Sequence, residues 1–141
     1  MTLFRQILTL LQLMFQVPTS QAGRTSIPTL ANAITGTGAA GAWAYGAYVT
    51  LIATGDTTKN FMVVDLMCEA FVAGAIYQID IATGVAAAEV VRATIHVGPA
   101  LVRHPVGLGP YPAGTTVRFR VASKAGGAQA VDFSSSIIYT V

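Results

Sequence analysis

Charge is scarce in this chain. Only 10% of its 141 residues are Asp, Glu, Lys or Arg, against about 25% in an ordinary soluble domain. From Thr25 to Gly55 there is no charged residue at all. Eight basic and six acidic side chains leave a net charge of +2, too little for the electrostatic footprint of a nucleic-acid binder. A single cysteine, Cys68, excludes an internal disulfide framework and any multi-cysteine metal knuckle. What fills the space is apolar: 53% of the residues are hydrophobic. That excludes a disordered, solvating chain. The length gives room for one ordinary domain. A small domain so poor in charge is expected to hide part of its surface, as an assembly component does.

The N-terminus carries the one strong helical pattern. Leu3, Phe4, Ile7, Leu8, Leu11, Met14 and Phe15 lie on a broad apolar face, while Arg5, Thr9, Gln12 and Gln16 form a narrow polar stripe. Pro18 ends the run. Gln12 and Gln16 inside the apolar stretch weaken a secretory leader cleaved near Ala22. A membrane span needs about 20 residues, whereas 15 helical residues reach only ~22 Å. The expectation is a docking helix and linker over residues 1–24, buried against the rest of the protein or a partner, with no membrane contact.

Residues 25–141 read as strands. Tyr77, Ile79 and Ile81 alternate with Gln78 and Asp80, and Val117, Phe119 and Val121 alternate with Thr116, Arg118 and Arg120. Val91, Ala93, Ile95 and Val97 alternate with Arg92, Thr94 and His96, and Val131, Phe133, Ile137 and Tyr139 with polar neighbours. Met62, Val64, Leu66 and Cys68 are expected on one side of their strand, opposite Asp65, Met67 and Glu69. The pattern predicts about eight strands, near 26–35, 43–54, 60–69, 75–82, 88–97, 101–106, 115–123 and 129–140. Breakers such as Gly55-Asp56, Gly84, Gly98-Pro99 and the run Gly107–Gly114 separate them. Short strands without intervening helices predict an all-β, antiparallel jelly-roll sandwich. Ile-Ala-Thr-Gly occurs at 52–55 and again at 81–84, but no third copy makes a solenoid.

Chemical motifs are weak. Gly36-Thr37-Gly38-Ala39-Ala40-Gly41 matches the letters of a dinucleotide fingerprint, but a strand-like run follows where a helix is required; a Gly/Ala loop is the plainer expectation. His96 and His104 lack the further ligands a zinc site needs. Asp65 and Asp80 are expected to pair with Arg92, Arg118 or Arg120 if neighbouring strands bring them close, rather than to share a proton. Ser134–Ser136 has no identifiable base, and neither a G-x-S-x-G elbow nor a phosphate loop occurs. Cys68 is expected to pack as a small hydrophobe. The chain is therefore read as non-enzymatic and without a cofactor. Arg92, Arg118 and Arg120 are expected to form a basic ridge: a contact for an acidic protein patch or a carbohydrate, or solvated charges that blunt sheet association.

Val106-Gly107-Leu108-Gly109-Pro110-Tyr111-Pro112-Ala113-Gly114-Thr115-Thr116-Val117-Arg118-Phe119-Arg120-Val121 resembles tailed-bacteriophage virion proteins with a jelly-roll domain. So do Ala75–Gly84 leading into Ala88–Val91, and the Gly-rich lead into Trp43. The resemblance implies a virion structural role, foremost a capsid decoration (cement) protein that binds the major capsid protein or another virion protein. The alternative it implies is a tail-fibre or baseplate component that binds host glycan. Such proteins are usually homotrimers. A mean hydropathy of +0.61 supports an assembly independently, since large exposed apolar patches mark interfaces.

Overall fold

A computed structural model describes residues 24–69, 76–98 and 103–140. The docking helix expected over Met1–Val17, and with it Leu3, Phe4, Ile7, Leu8, Leu11, Met14 and Phe15, lies outside the described residues. The described chain is all-β. Its strands are β1 (Arg24–Ile27), β2 (Ile34–Thr37), β3 (Val49–Ile52), β4 (Phe61–Glu69), β5 (Tyr77–Thr83), β6 (Val90–Val97), β7 (Arg103–Tyr111), β8 (Val117–Ser123) and β9 (Ala130–Tyr139). They form two antiparallel sheets. In the first, β1 and β2 both pair with β9, which is followed by β4 and β7; the second runs β3-β8-β5-β6.

Alternation explains most of the packing. Tyr77, Ile79 and Ile81 of β5 and Val117, Phe119 and Val121 of β8 are buried in the second sheet, facing Phe61, Val63, Leu66, Val131, Phe133 and Ile137 of the first. The rings of Phe119 and Phe133 meet across the layers with centroids 4.4 Å apart. Gly36 leaves room for this pair, because a Cβ there would stand 2.3 Å from Phe119 Cε2. Its lack of a side chain thus serves packing, and the letters of the dinucleotide fingerprint begin inside strand β2.

Four expectations about the strands need correction. The strand expected over 26–35 is broken into β1 and β2, because β1 ends before Pro28, which has no N–H to donate, and a 3-10 turn occupies Leu30–Asn32. In β4 a register shift between Val63 and Asp65 inserts an extra residue. Phe61 and Val63 face inward before it and Leu66 and Cys68 after it, so Met62 and Val64 do not share the face of Leu66. The expected break at Gly107–Gly114 begins late, since β7 continues to Tyr111. Gly107 (φ 58°) and Gly109 (φ 116°) absorb irregularities in its pairing with β4. Pro105 and Pro110 are tolerated because β7 lies at the sheet edge. Finally, the strand expected over 43–54 is regular only at Val49–Ile52; Tyr45 makes an isolated bridge to Ala122, and Trp43 turns into a positive φ of 57°.

Candidate functional site

The outer face of the second sheet carries its polar and aromatic side chains. Register fixes them in rows. Gln78 stands opposite both Ala122 and His96, and Tyr45 bridges to Ala122, so Tyr45, Ala122, Gln78 and His96 form one row across the sheet. Arg120, Asp80 and Thr94 form the next. Asp80 is buried, and four donors converge on its carboxylate. Arg120 Nε and Nη2 donate to Oδ2 at 2.9 and 2.7 Å, while the Thr94 and Tyr45 hydroxyls donate to Oδ1 at 2.6 and 2.9 Å. Burial alone would push the carboxyl upward, but the hydrogen bonds from Thr94, Arg120 and Tyr45 outweigh it and hold Asp80 below the usual carboxylate range.

The Arg120 guanidinium also lies against two rings, 4.1 Å from the Tyr45 centroid and 4.7 Å from that of Tyr48. Burial, reinforced by the hydrogen bond to Asp80, pushes the Tyr45 phenol up to about 12. Burial likewise raises Tyr48, against the opposing charge of Arg120. Beside this group, Arg118 pairs with Glu89 and donates to the Tyr48 carbonyl at 3.0 Å. At the head of the face Trp43 is 43% exposed and meets His96 edge to face, ring centroids 6.2 Å apart. Its backbone is held by a hydrogen bond from its N–H to the Ser123 carbonyl at 2.8 Å.

The basic ridge expected from Arg92, Arg118 and Arg120 is thus assembled in part and neutralised. Arg118 and Arg120 share one face of β8, each spent on a carboxylate, and Arg92 donates to the Thr83 hydroxyl at 2.8 Å. Asp80 pairs with Arg120, as expected. Asp65 lies in the other sheet and pairs instead with Arg24 and Arg103. The two aspartates therefore do not approach on neighbouring strands. Around Asp65, Arg24 Nε donates to Ser136 Oγ at 2.5 Å, and these groups border an open cleft of about 380 Å³. Nothing in the spacing of residues 24, 65 and 103 announces this cluster.

The remaining candidates separate. His96 is on the second sheet and His104 on the first, and no group of His, Cys, Asp and Glu able to hold a metal is gathered among the described residues. Burial pushes the Cys68 thiol up to about 12, which leaves it protonated and unreactive. The aromatic face was the feature sequence reasoning missed. Its signal is Trp43, Tyr45 and Tyr48, three aromatics within a charge-free stretch that reads as an ordinary strand. No protein-family model, curated protein or solved structure matches the chain, so its function has to be read from these residues.

Proposed function

We propose that the chain is a structural protein of a tailed-phage virion, in the role of a capsid decoration protein that assembles as a homotrimer and docks on the major capsid protein or another virion protein. The observation that carries the reading is the rim of the second sheet. Val85, Val90 and Val91 are 65%, 52% and 44% exposed, and Ala86, Ala87 and Ala88 between them are exposed as well. Glu89 is the one charged residue in this run, and its ion pair with Arg118 turns it onto the sheet face. An apolar rim therefore flanks β6, a strand that pairs on one side only, with β5. An open edge with an apolar run this long, ending at Arg92, invites association unless a partner covers it.

The strand order supports a jelly roll. With β1 and β2 counted as one interrupted strand, the sheets are β1/β2-β9-β4-β7 and β3-β8-β5-β6. Eight strands ordered this way, crossing repeatedly between the layers, fit two Greek keys folded together. Electron cryo-microscopy of the particle whose genome encodes the chain tests the reading: density for trimers of this sandwich on the capsid surface is expected. Their absence from the particle would refute it.

A further inference from the structure

We propose that the outer face of the second sheet around Trp43 binds a neutral saccharide, the pyranose ring stacking on the indole while Gln78 and His96 take up its hydroxyls. This goes beyond the virion reading and does not depend on it. Three observations converge. A tryptophan with 43% of its surface exposed is held at φ 57°, a conformation costly for any residue but glycine. Strain of this kind persists where the surroundings enforce it and gathers at functional positions. Here a backbone hydrogen bond to Ser123 enforces it and the outcome is a presented ring.

The floor beside the ring is rigid. Tyr45 and Tyr48 are fixed by Arg120, Arg120 by Asp80, and Asp80 by Thr94 and Tyr45. The polar groups beside Trp43 are hydrogen-bonding ones: the exposed His96 imidazole that meets its ring, and the half-buried Gln78 opposite His96 in register. The row Tyr45–Ala122–Gln78–His96 crosses four neighbouring backbones, and at about 4.8 Å per step it spans ~14 Å, long enough for more than one sugar ring. An aromatic plate beside fixed hydrogen-bonding groups suits a ligand with an apolar face and a hydroxyl rim. Charge decides the class. Arg120 and Arg118, the two arginines that β8 places on this face, are already paired with Asp80 and Glu89, so neither is free to meet the carboxylate of a sialic or uronic acid.

Trp43 is the sole tryptophan, so its fluorescence reports on this site alone. The full-length protein is titrated with lactose, maltose, cellobiose and N,N′-diacetylchitobiose, with 3′-sialyllactose and digalacturonate as acidic comparators. At least one neutral disaccharide is expected to shift the emission saturably, with a dissociation constant on the order of 1 mM, and the acidic sugars to bind more weakly. By saturation-transfer NMR, Trp43→Gly is expected to abolish that binding without lowering the thermal midpoint, since glycine adopts positive φ freely. His96→Ala and Gln78→Ala are expected to weaken it severalfold, and they carry the test if Trp43→Gly does not fold. A flat response to all four neutral sugars, tighter binding of an acidic one, or unchanged binding in the folded variants would overturn the proposal. None of these outcomes touches the trimer, because the site and the 85–91 rim share no residue.

Discussion

Asp80 shows how much one carboxylate organises in a chain with few charges. It anchors Arg120, and through Arg120 the two tyrosines. Asp80→Asn is expected to cost about 1–3 kcal/mol in urea unfolding at pH 7, the range for lost hydrogen bonds to a charged group, discounted because the partner Arg120 is partly exposed. Because the folded protein holds this carboxyl below its usual value, its contribution is present above the unfolded pKa of about 3.9 and is lost as pH falls through the folded value. The stability gap between wild type and variant should therefore close in acid. Tyr45 runs the other way. Its phenol is raised to about 12, so its contribution is complete below about pH 10 and disappears as pH climbs toward 12. Gly36→Ala tests packing with no change of charge. Its Cβ meets Phe119 Cε2 at 2.3 Å and Val121 Cγ2 at 3.0 Å, and a loss of roughly 1–3 kcal/mol is expected by calorimetry.

At the scale of elements, the sequence was legible wherever a strand keeps an unbroken period of two. β5 and β8 bury the residues their alternation names, because nothing interrupts their pairing with each other. β4 was misread because one inserted residue after Val63 exchanges the faces, and a bulge leaves no trace in composition. β7 was cut short because Gly107 and Gly109, which usually mark turns, here accommodate pairing irregularities at an edge. The Asp80–Arg120 pair was legible as cross-strand chemistry. Trp43, Tyr45 and Tyr48 were not, because their arrangement depends on a backbone turn at Trp43 that alternation does not encode. The β6 rim makes its own prediction. Val90→Lys with Val91→Lys keeps the strand exposed and puts charge on the apolar edge. In sedimentation velocity this double variant should shift the protein toward monomer, raising the dissociation constant at least tenfold (about 1.4 kcal/mol), while its circular dichroism stays that of the wild type.

For the whole molecule, low charge and an apolar rim leave apolar surface outside the sandwich core among the described residues, and the proposed function assigns that surface to other copies of the chain. The inner faces are already filled, with Phe61, Tyr77, Phe119 and Phe133 fully buried. The exposed valines and alanines of 85–91 are therefore surplus to the core and available for association. Sedimentation equilibrium of the full-length chain at micromolar concentration tests this most directly. The account predicts a mass three times the 14.6 kDa of one chain, and a single-chain mass under those conditions would contradict it.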